Sequence, residues 1–346
     1  MHSNNFGELK KYNTFGLNAK AKAIYSASSK EELLALWRDA QVKSCPVLLL
    51  GNGSNVLFID DFDGIVILNL IRALEITESS SEWFIHVGAG NNWHQLVEEL
   101  IKNEIYGLEN MALIPGSVGA APIQNIGAYG MEFKDVCHYI DILNLNNGKQ
   151  NRLNVSECQF GYRDSIFKHK YNKNFAVVSV GLKLNKLWKP ILSYAGLAFL
   201  TDQILTAKNI FNTVCKIRKS KLPDPILLGN TGSFFKNPLI SSIDANKIKI
   251  SYPQCPGYPQ LDGKVKIAAG WLIDQCNLKG YQCGGAAVHM DQALVLINKN
   301  NATGKDIVNL GRYVSKQVMK KFSITLEPEV CFIGKYGEIN AMDAIS

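Results

Sequence analysis

Two kinds of residue in this chain could do chemistry: a dense run of glycines, and a few charged side chains set among aromatics and prolines. Residues 107–130 read GLENMALIPGSVGAAPIQNIGAYG, with Glu109 the one charge and glycines at 107, 116, 119, 127 and 130. The stretch has neither helical nor strand periodicity, and glycine tolerates backbone angles closed to other residues. A neutral, glycine-dense loop of this length is usually functional when it occurs in a compact domain. It can bring many backbone N–H groups against a ligand, and a polyanion suits such a concave nest best. We read it as the cradle of a phosphate-bearing cofactor, against the alternative of an ordinary buried loop between two layers. Three further clusters carry charge: FGYRDSIFK at 160–168, KIRKSK at 216–221, and the two acids of ITLEPEVCFI at 324–333. KIRKSK lies beside Pro223 and Pro225 and lacks interleaved aromatics, which favours a solvated basic face or an anionic small-molecule site over nucleic acid.

Composition bounds the class. At 346 residues the chain is too long for one small core, and two or three domains are expected. With 47% hydrophobic and 19% charged residues it has the make-up of a soluble globular protein, and its net charge of +7 is modest for the length. No run approaches the ~20 apolar residues needed to cross a bilayer, and the N-terminus MHSNNFGELKKYN lacks an apolar signal core. A cytoplasmic protein with no membrane partner is expected. The eight cysteines form no CxxC pair, so reduced, mostly buried thiols are expected rather than a metal site or a disulfide framework.

The elements that must position the glycine loop can be read in order. Residues 28–41 read as a helix with Ser28 and Glu31 as a capping box. Strands follow at 47–50, 64–68 and 83–87, the first ending in GNGSNVLF and the last in GAG. A helix runs from Asn92 with Leu96, Val97 and Leu100 on one stripe. Residues 139–145 with a turn at Asn147 and Gly148 suggest a hairpin, and 175–184 another strand. A helix at 206–219 precedes a composition shift at KLPDP (221–225), where a domain boundary is placed. Beyond it lie GNTGSFFKNP (229–238), a helix around 268–276, a strand at 293–297 and a long helix begun by Thr303 and Asp306 and reaching about Phe322. The segment 324–333 reads as strand. A Rossmann fold fails on spacing, because GxGxxG would need glycine where Val56 and Trp93 stand, and GNGSNVLF opens no helix.

GNGSNVLF, IPGSVGAAPIQNIGAYG, FGYRDSIFK, GSFFKNP and LEPEV, in this order and spacing, closely resemble the UDP-N-acetylenolpyruvoylglucosamine reductase (UDP-N-acetylmuramate dehydrogenase) family, flavoenzymes of bacterial peptidoglycan precursor synthesis. The similarity runs from NTFG (13–16) nearly to the C-terminus, and the insert around Ser193 and Tyr194 resembles the subclass with a tyrosine loop over the substrate. The resemblance implies an α+β fold. Its FAD-binding region, of the vanillyl-alcohol-oxidase (PCMH) type, would span about residues 17–187 in two lobes, roughly 1–68 and 69–222. A substrate-binding domain would span about 223–323, with 324–346 returning a strand to the first lobe. The flavin would take hydride from NADPH and pass it to an enolpyruvyl double bond.

An enolpyruvyl ether conjugated to a carboxylate accepts hydride at its methylene end, and negative charge then spreads into the carboxylate. The protein must offer fixed donors to that charge and supply one proton. Arg163 is the best donor, because a guanidinium grips a carboxylate with two parallel hydrogen bonds. The resemblance puts a second stabilising role on Glu329 rather than Glu327, and the proton donor on Ser233, helped by Lys221 or Lys236. It also implies that Tyr162, Tyr194, Lys221, Asn237 and Gln292 bind the UDP-sugar and the nicotinamide cofactor. Tyr162 and Tyr129 could equally be core aromatics. Gly51, Gly53, Ser54 and Asn55, with Pro115, Gly116, Gly119, Ala120, Ala121, Ile126, Gly127 and Tyr129, are implied to hold FAD, its pyrophosphate against the turns at 51–55 and 116–121. Many family members carry hydroxyl residues where this chain has Ala120 and Ala121, so side-chain bonds there are lost. That bears on the tightness of flavin binding, not its mode. None of the histidines (2, 86, 94, 138, 169 and 289) sits in a motif for covalent attachment, so FAD is expected to bind non-covalently to a monomer. The rival readings are an FAD oxidase of a hydroxy acid or sugar lactone, a flavin-bearing electron-transfer subunit and, far behind, a basic nucleic-acid-binding module.

Overall fold

In the computed structural model, side-chain caps set where the helices begin. Residues 7–202 and 205–346 are described; the first six residues of the N-terminal segment discussed above, with His2, lie outside them. Helix α1 (Lys30–Val42) starts one residue later than its sequence suggests. Ser29, not Ser28, is the cap and accepts from the Glu32 N–H at 3.1 Å, while the Glu32 carboxylate takes the Ser28 N–H at 2.7 Å. The shift leaves Leu33, Trp37 and Ala40 on the buried face. Helix α2 (Trp93–Lys102) is capped by Asn92 and buries Trp93, Leu96, Val97 and Leu100. Helix α3 (Ala207–Lys221) buries Ile210 and Val214. Helices α4 (Ser242–Ser251), α5 (Ala269–Gln275) and α6 (Gly304–Phe322) follow, and α7 (Ala341–Ile345) closes the chain. The Thr303–Asp306 capping box of α6 is formed as the sequence implies.

The chain divides into two compact units, which it passes between within the strands Lys20–Ala27 and Phe62–Asn69. The central unit comprises residues 23–53 and 64–220. Here Val47–Leu50 pairs in parallel with Phe62–Asn69, Val47 opposite Ile65. A five-stranded antiparallel sheet runs in the order Gln150–Asn154, Cys137–Asn144, Phe175–Asn185, Glu82–Gly88, Leu74–Glu78. The hairpin turn falls at Asn147 and Gly148, where Gly148 takes φ 75°. Leu74–Glu78 escapes sequence reading because it is only five residues long, with two apolar positions, and every residue of it is exposed. Val87, Val180 and Leu182 of this sheet pack with the apolar stripes of α2 and α3 in one core.

The C-terminal unit comprises residues up to 22, 54–63 and 221–346. Asn230–Ser233, Val295–Asn298, Ala286–Val288 and Gln282–Cys283 form its main sheet, packed with α6. The strand read at 293–297 therefore begins two residues later. The strand expected over 324–333 shrinks to Cys331–Gly334, which pairs in parallel with Val56–Phe58. Pro328, which has no N–H to give a ladder, breaks the run and leaves a single bridge to Phe235. All eight cysteines are unbridged; Cys137, Cys158 and Cys255 are buried and the other five only half-buried, fewer than the composition suggests.

Candidate active site

The glycine loop forms its concavity by packing backbone on backbone. A Cβ on Gly51 would run into Ser117 Oγ, and one on Gly119 would come 2.5 Å from Ala89 Cβ. Glycine is therefore dictated at both turns. Gly53 and Gly116 take positive φ, 61° and 126°. The N–H groups of Val118, Gly119, Ala120 and Ala121 close onto the carbonyls of Asn91, Ala89, Ser117 and Val118. Among the described residues the N–H groups of Gly116 and Ser117 make no such bond, which narrows the part of 116–121 that could face an anion. Ala121 is buried and Ala120 partly so. Ile126 donates its N–H to Ala121 O at 3.1 Å, and Gly127 pairs with Glu132 in a small hairpin. Pro115 is exposed at the rim.

Eight of the described non-glycine residues of this unit hold left-handed backbone, and four of them lie in the glycine loop and the GYRDS turn: Leu113, Asn125, Tyr129 and Arg163, at φ 55°, 45°, 50° and 54°. Such angles persist only where the surroundings over-determine them, and they cluster at functional sites. Asn125, which the sequence reading missed, supplies much of the bracing. Fully buried, it donates to Glu132 Oε2 and to Gly161 O, both at 3.0 Å, and accepts from the Lys134 N–H at 2.9 Å. Ser165 donates to Ile123 O at 2.6 Å, and Arg163 Nη2 to Gly127 O at 3.2 Å. The GYRDS turn is thereby tied to the cradle at three points, and Arg163 is aimed by the tie. Tyr162 lies beside it, with the Arg163 guanidinium 5.7 Å from its ring centroid.

Tyr129 and Tyr194 meet edge to face at 4.9 Å. Asn110 binds the Tyr129 and Ile191 carbonyls at 2.8 and 2.9 Å, which moors the tyrosine segment to the end of the glycine loop. Burial raises the Tyr129 phenol above its usual range, against the pull of Arg218. Arg218 is the second residue missed. It stands one turn after Val214 on the buried stripe of α3, next to Arg163, and its Nε is buried with no hydrogen-bond partner among the described residues. Burial, and more weakly Arg163, push its guanidinium below its ordinary range. An unpaired buried cation beside another is costly on its own and suits a site that receives an anion. Its signal was the Ile210, Val214, Arg218 spacing, which puts one charge of KIRKSK on the apolar face.

In the C-terminal unit, Ser233 ends a strand opposite Val295, and the Glu329 N–H donates to Phe234 O at 2.8 Å. Glu329 thus lies opposite Phe234, the residue after Ser233. Asn55 joins them, donating from Nδ2 to Glu329 O at 3.1 Å and accepting from the Cys331 N–H. Asn230, buried, fixes the turn before the serine: it accepts from the Gly232 N–H at 2.8 Å and donates to Pro223 O and Leu228 O. Asn237 Oδ1 accepts from the Ala269 N–H at 2.9 Å, capping α5, whose own cap residue Ala268 offers no side-chain acceptor. Gln292, half-buried, donates its N–H to His289 Nδ1 at 3.2 Å. Ser54 is half-buried and Lys221 is exposed at the end of α3. Lys236 is ion-paired with Glu327.

The orphaned Arg218 Nε and the backbone-lined cradle fit a phosphate-bearing cofactor. Comparison with known proteins agrees. A model described as an FAD binding domain matches residues 21–154, and one described as the C-terminal domain of UDP-N-acetylenolpyruvoylglucosamine reductase matches 224–333. These define an FAD-dependent oxidoreductase with an α+β FAD-binding region and a separate C-terminal domain. The UDP-N-acetylenolpyruvoylglucosamine reductase of Photorhabdus laumondii is 59% identical over 98% of this chain and 99% of its own length. That of Escherichia coli is 53% identical over 98% of this chain and 99% of its own. The crystal structure of the Thermus caldophilus reductase, 23% identical, superposes with a TM-score of 0.66 over 95% of this chain and 98% of that one. The chain belongs to the UDP-N-acetylenolpyruvoylglucosamine reductase family. The resemblance, the fold class and the FAD requirement read from the sequence all stand.

Proposed function

We propose that the chain reduces the enolpyruvyl double bond of UDP-N-acetylglucosamine enolpyruvate to UDP-N-acetylmuramate, with NADPH as reductant, in peptidoglycan precursor synthesis. The observation that carries this reading is 59% identity over 98% of the chain to a reductase of that name, in a chain whose Glu329 is bonded to the residue after Ser233. Bound FAD supplies the hydride that the methylene carbon receives. Gly51, Gly53, Ser54 and Asn55 hold the cofactor from one turn, and Pro115, Gly116, Gly119, Ala120 and Ala121 from the other, with Ile126, Gly127 and Tyr129 behind them. The Gly116 and Ser117 N–H groups are the donors best placed for its phosphates.

Arg163 grips the substrate carboxylate, and Arg218 adds a second fixed positive charge as negative charge builds there. Glu329 stabilises the same charge, either protonated or by orienting a donor. Ser233 gives its hydroxyl proton to the second vinyl carbon, so the double bond gains one hydride and one proton. Water is excluded from this step by Tyr194 and its segment. Lys221, Asn237 and Gln292, with Tyr162, hold the UDP-sugar and the nicotinamide cofactor. Lys236, committed to Glu327, is the weaker of the two candidate helpers for the serine. Among the described residues no helix is long and apolar enough to cross a membrane, and we place the protein in the cytoplasm as a monomer.

Replacing Ser233 separates the two halves of the reaction. In anaerobic stopped flow, Ser233→Ala still lets NADPH bleach the flavin, while reoxidation by the enolpyruvyl substrate slows by roughly 10²–10⁴-fold, as loss of a general acid does. Equal loss in both halves would assign Ser233 to the fold or the nicotinamide site.

A further inference from the structure

The first turn of α2 grips the glycine loop at three points. The Trp93 N–H donates to Gly116 O at 3.0 Å, Trp93 Nε1 donates to Met111 O at 3.0 Å, and His94 Nδ1 accepts from the Leu113 N–H at 3.1 Å. The first two grips cannot titrate. The third can. Leu113 is held at φ 55°, an angle a leucine keeps only under outside constraint, and the chain runs from it through Ile114 and Pro115 to Gly116 and Ser117.

A ring nitrogen that accepts must be unprotonated, so His94 carries its hydrogen on Nε2. That nitrogen faces Glu98 Oε1, one turn along α2, at 3.4 Å. From α3 the ring meets Phe211, stacked at 5.8 Å and 15°, and the charges of Arg218 and Lys219. The Cys215 thiol, kept protonated by burial, lies near the same Glu98 and Lys219. Burial favours the neutral ring most, and the two cations add to it against Glu98, which places the imidazole below its ordinary 6.5.

We propose that His94 is a positioning residue for the cofactor and a proton-operated latch on the cradle. The neutral ring holds the Leu113 turn in the shape that receives FAD. Protonation puts a hydrogen on Nδ1 opposite the Leu113 N–H and releases the turn. This rests on the reading of 113–121 as part of the FAD cradle. The latch is closed at neutral pH and opens as the pH falls below the ordinary imidazole range.

The test is FAD affinity of the apoprotein, read by quenching of flavin fluorescence between about pH 7.5 and pH 5, a range spanning histidine titration. Wild type is expected to lose roughly tenfold or more in affinity across that range, the worth of one buried hydrogen bond. His94→Asn, whose Oδ1 stands where the ring has Nδ1 and cannot be protonated, should bind FAD with little change over the same range. His94→Phe, which keeps the stack on Phe211 but has no acceptor, should already be weakened by roughly tenfold at the upper end. Nitrogen NMR of the apoprotein should show the Nε2–H tautomer. The inference is overturned by an Nδ1–H tautomer, by an Asn variant that follows the wild-type profile, or by a Phe variant that binds as wild type does. Should the Phe variant fail to fold, the Asn profile and the tautomer decide. Wild type that binds no FAD at any pH would instead sink the cofactor reading itself, and the latch with it.

Discussion

Arg218 shows how a residue can be legible as a charge and illegible as a site. KIRKSK reads as a basic cluster, but only the helix phase of α3 turns Arg218 inward, where its Nε is buried without a partner among the described residues while Lys216 and Lys219 stay exposed. A cation held this way destabilises the empty protein and serves the bound state. Arg218→Met should therefore leave the melting temperature of the apoprotein unchanged or higher, while kcat/KM for the enolpyruvyl substrate falls by about 10²–10³, as for loss of one fixed donor. Scanning fluorimetry and steady-state kinetics check the two halves, and a melting temperature that falls with the activity would make Arg218 a packing residue.

Asp141 is the converse, a buried charge that is fully paired. It takes Arg152 Nε and Nη2 at 2.8 and 2.9 Å and Ser179 Oγ at 2.8 Å. Burial alone would raise its carboxyl, but these bonds outweigh burial and hold it below the usual carboxylate range. Its contribution is present above that range and is lost as the pH falls through the lowered value. Asp141→Ala should cost about 2–4 kcal/mol of unfolding free energy at neutral pH, the lower part because Arg152 is half exposed, and the deficit should shrink in acid. Urea titrations at several pH values measure it. Arg163, Ser233 and Glu329 drew notice through their motifs, whereas Asn125 and Asn230 did not, because loop amides are common and only the folded backbone shows that Asn125 reaches Gly161 O and Asn230 gathers Pro223 O and Leu228 O.

Among the elements, those specified by local chemistry were readable. Asn92, Thr303 and Asp306 announce α2 and α6, and the apolar stripes fix their buried faces. The α1 start moved by one residue because two adjacent serines compete for one cap. The 324–333 strand was overcalled because its alternation persists through Pro328, where the ladder cannot. The glycine loop was readable as an irregular, backbone-dense stretch, but not which of its N–H groups would be spent internally. Gly119 is the tightest test of that packing. Gly119→Ala places a methyl against Ala89, so the purified variant should emerge pale, with FAD affinity lowered by roughly tenfold or more from the strain of one overpacked contact. A yellow variant with wild-type affinity would show that the turn yields.

At the scale of the whole molecule, the family assignment came from the order of five short motifs spread over most of the chain, none decisive alone. One compact unit takes up residues 221–346 together with 54–63, and near KLPDP Asn230 gathers Pro223 O and Leu228 O. That grouping depends on Val56–Phe58 pairing with Cys331–Gly334, a partnership nearly three hundred residues apart that no local pattern encodes. The central claim is that reduced flavin on this chain hands its hydride to an enolpyruvyl ether. The most direct measurement is an anaerobic double-mixing experiment: the flavin is bleached with one equivalent of NADPH, then mixed with UDP-N-acetylglucosamine enolpyruvate while the flavin absorbance is followed. The account predicts rapid return of the oxidised spectrum with stoichiometric UDP-N-acetylmuramate. A flavin that stays reduced until oxygen is admitted would contradict it.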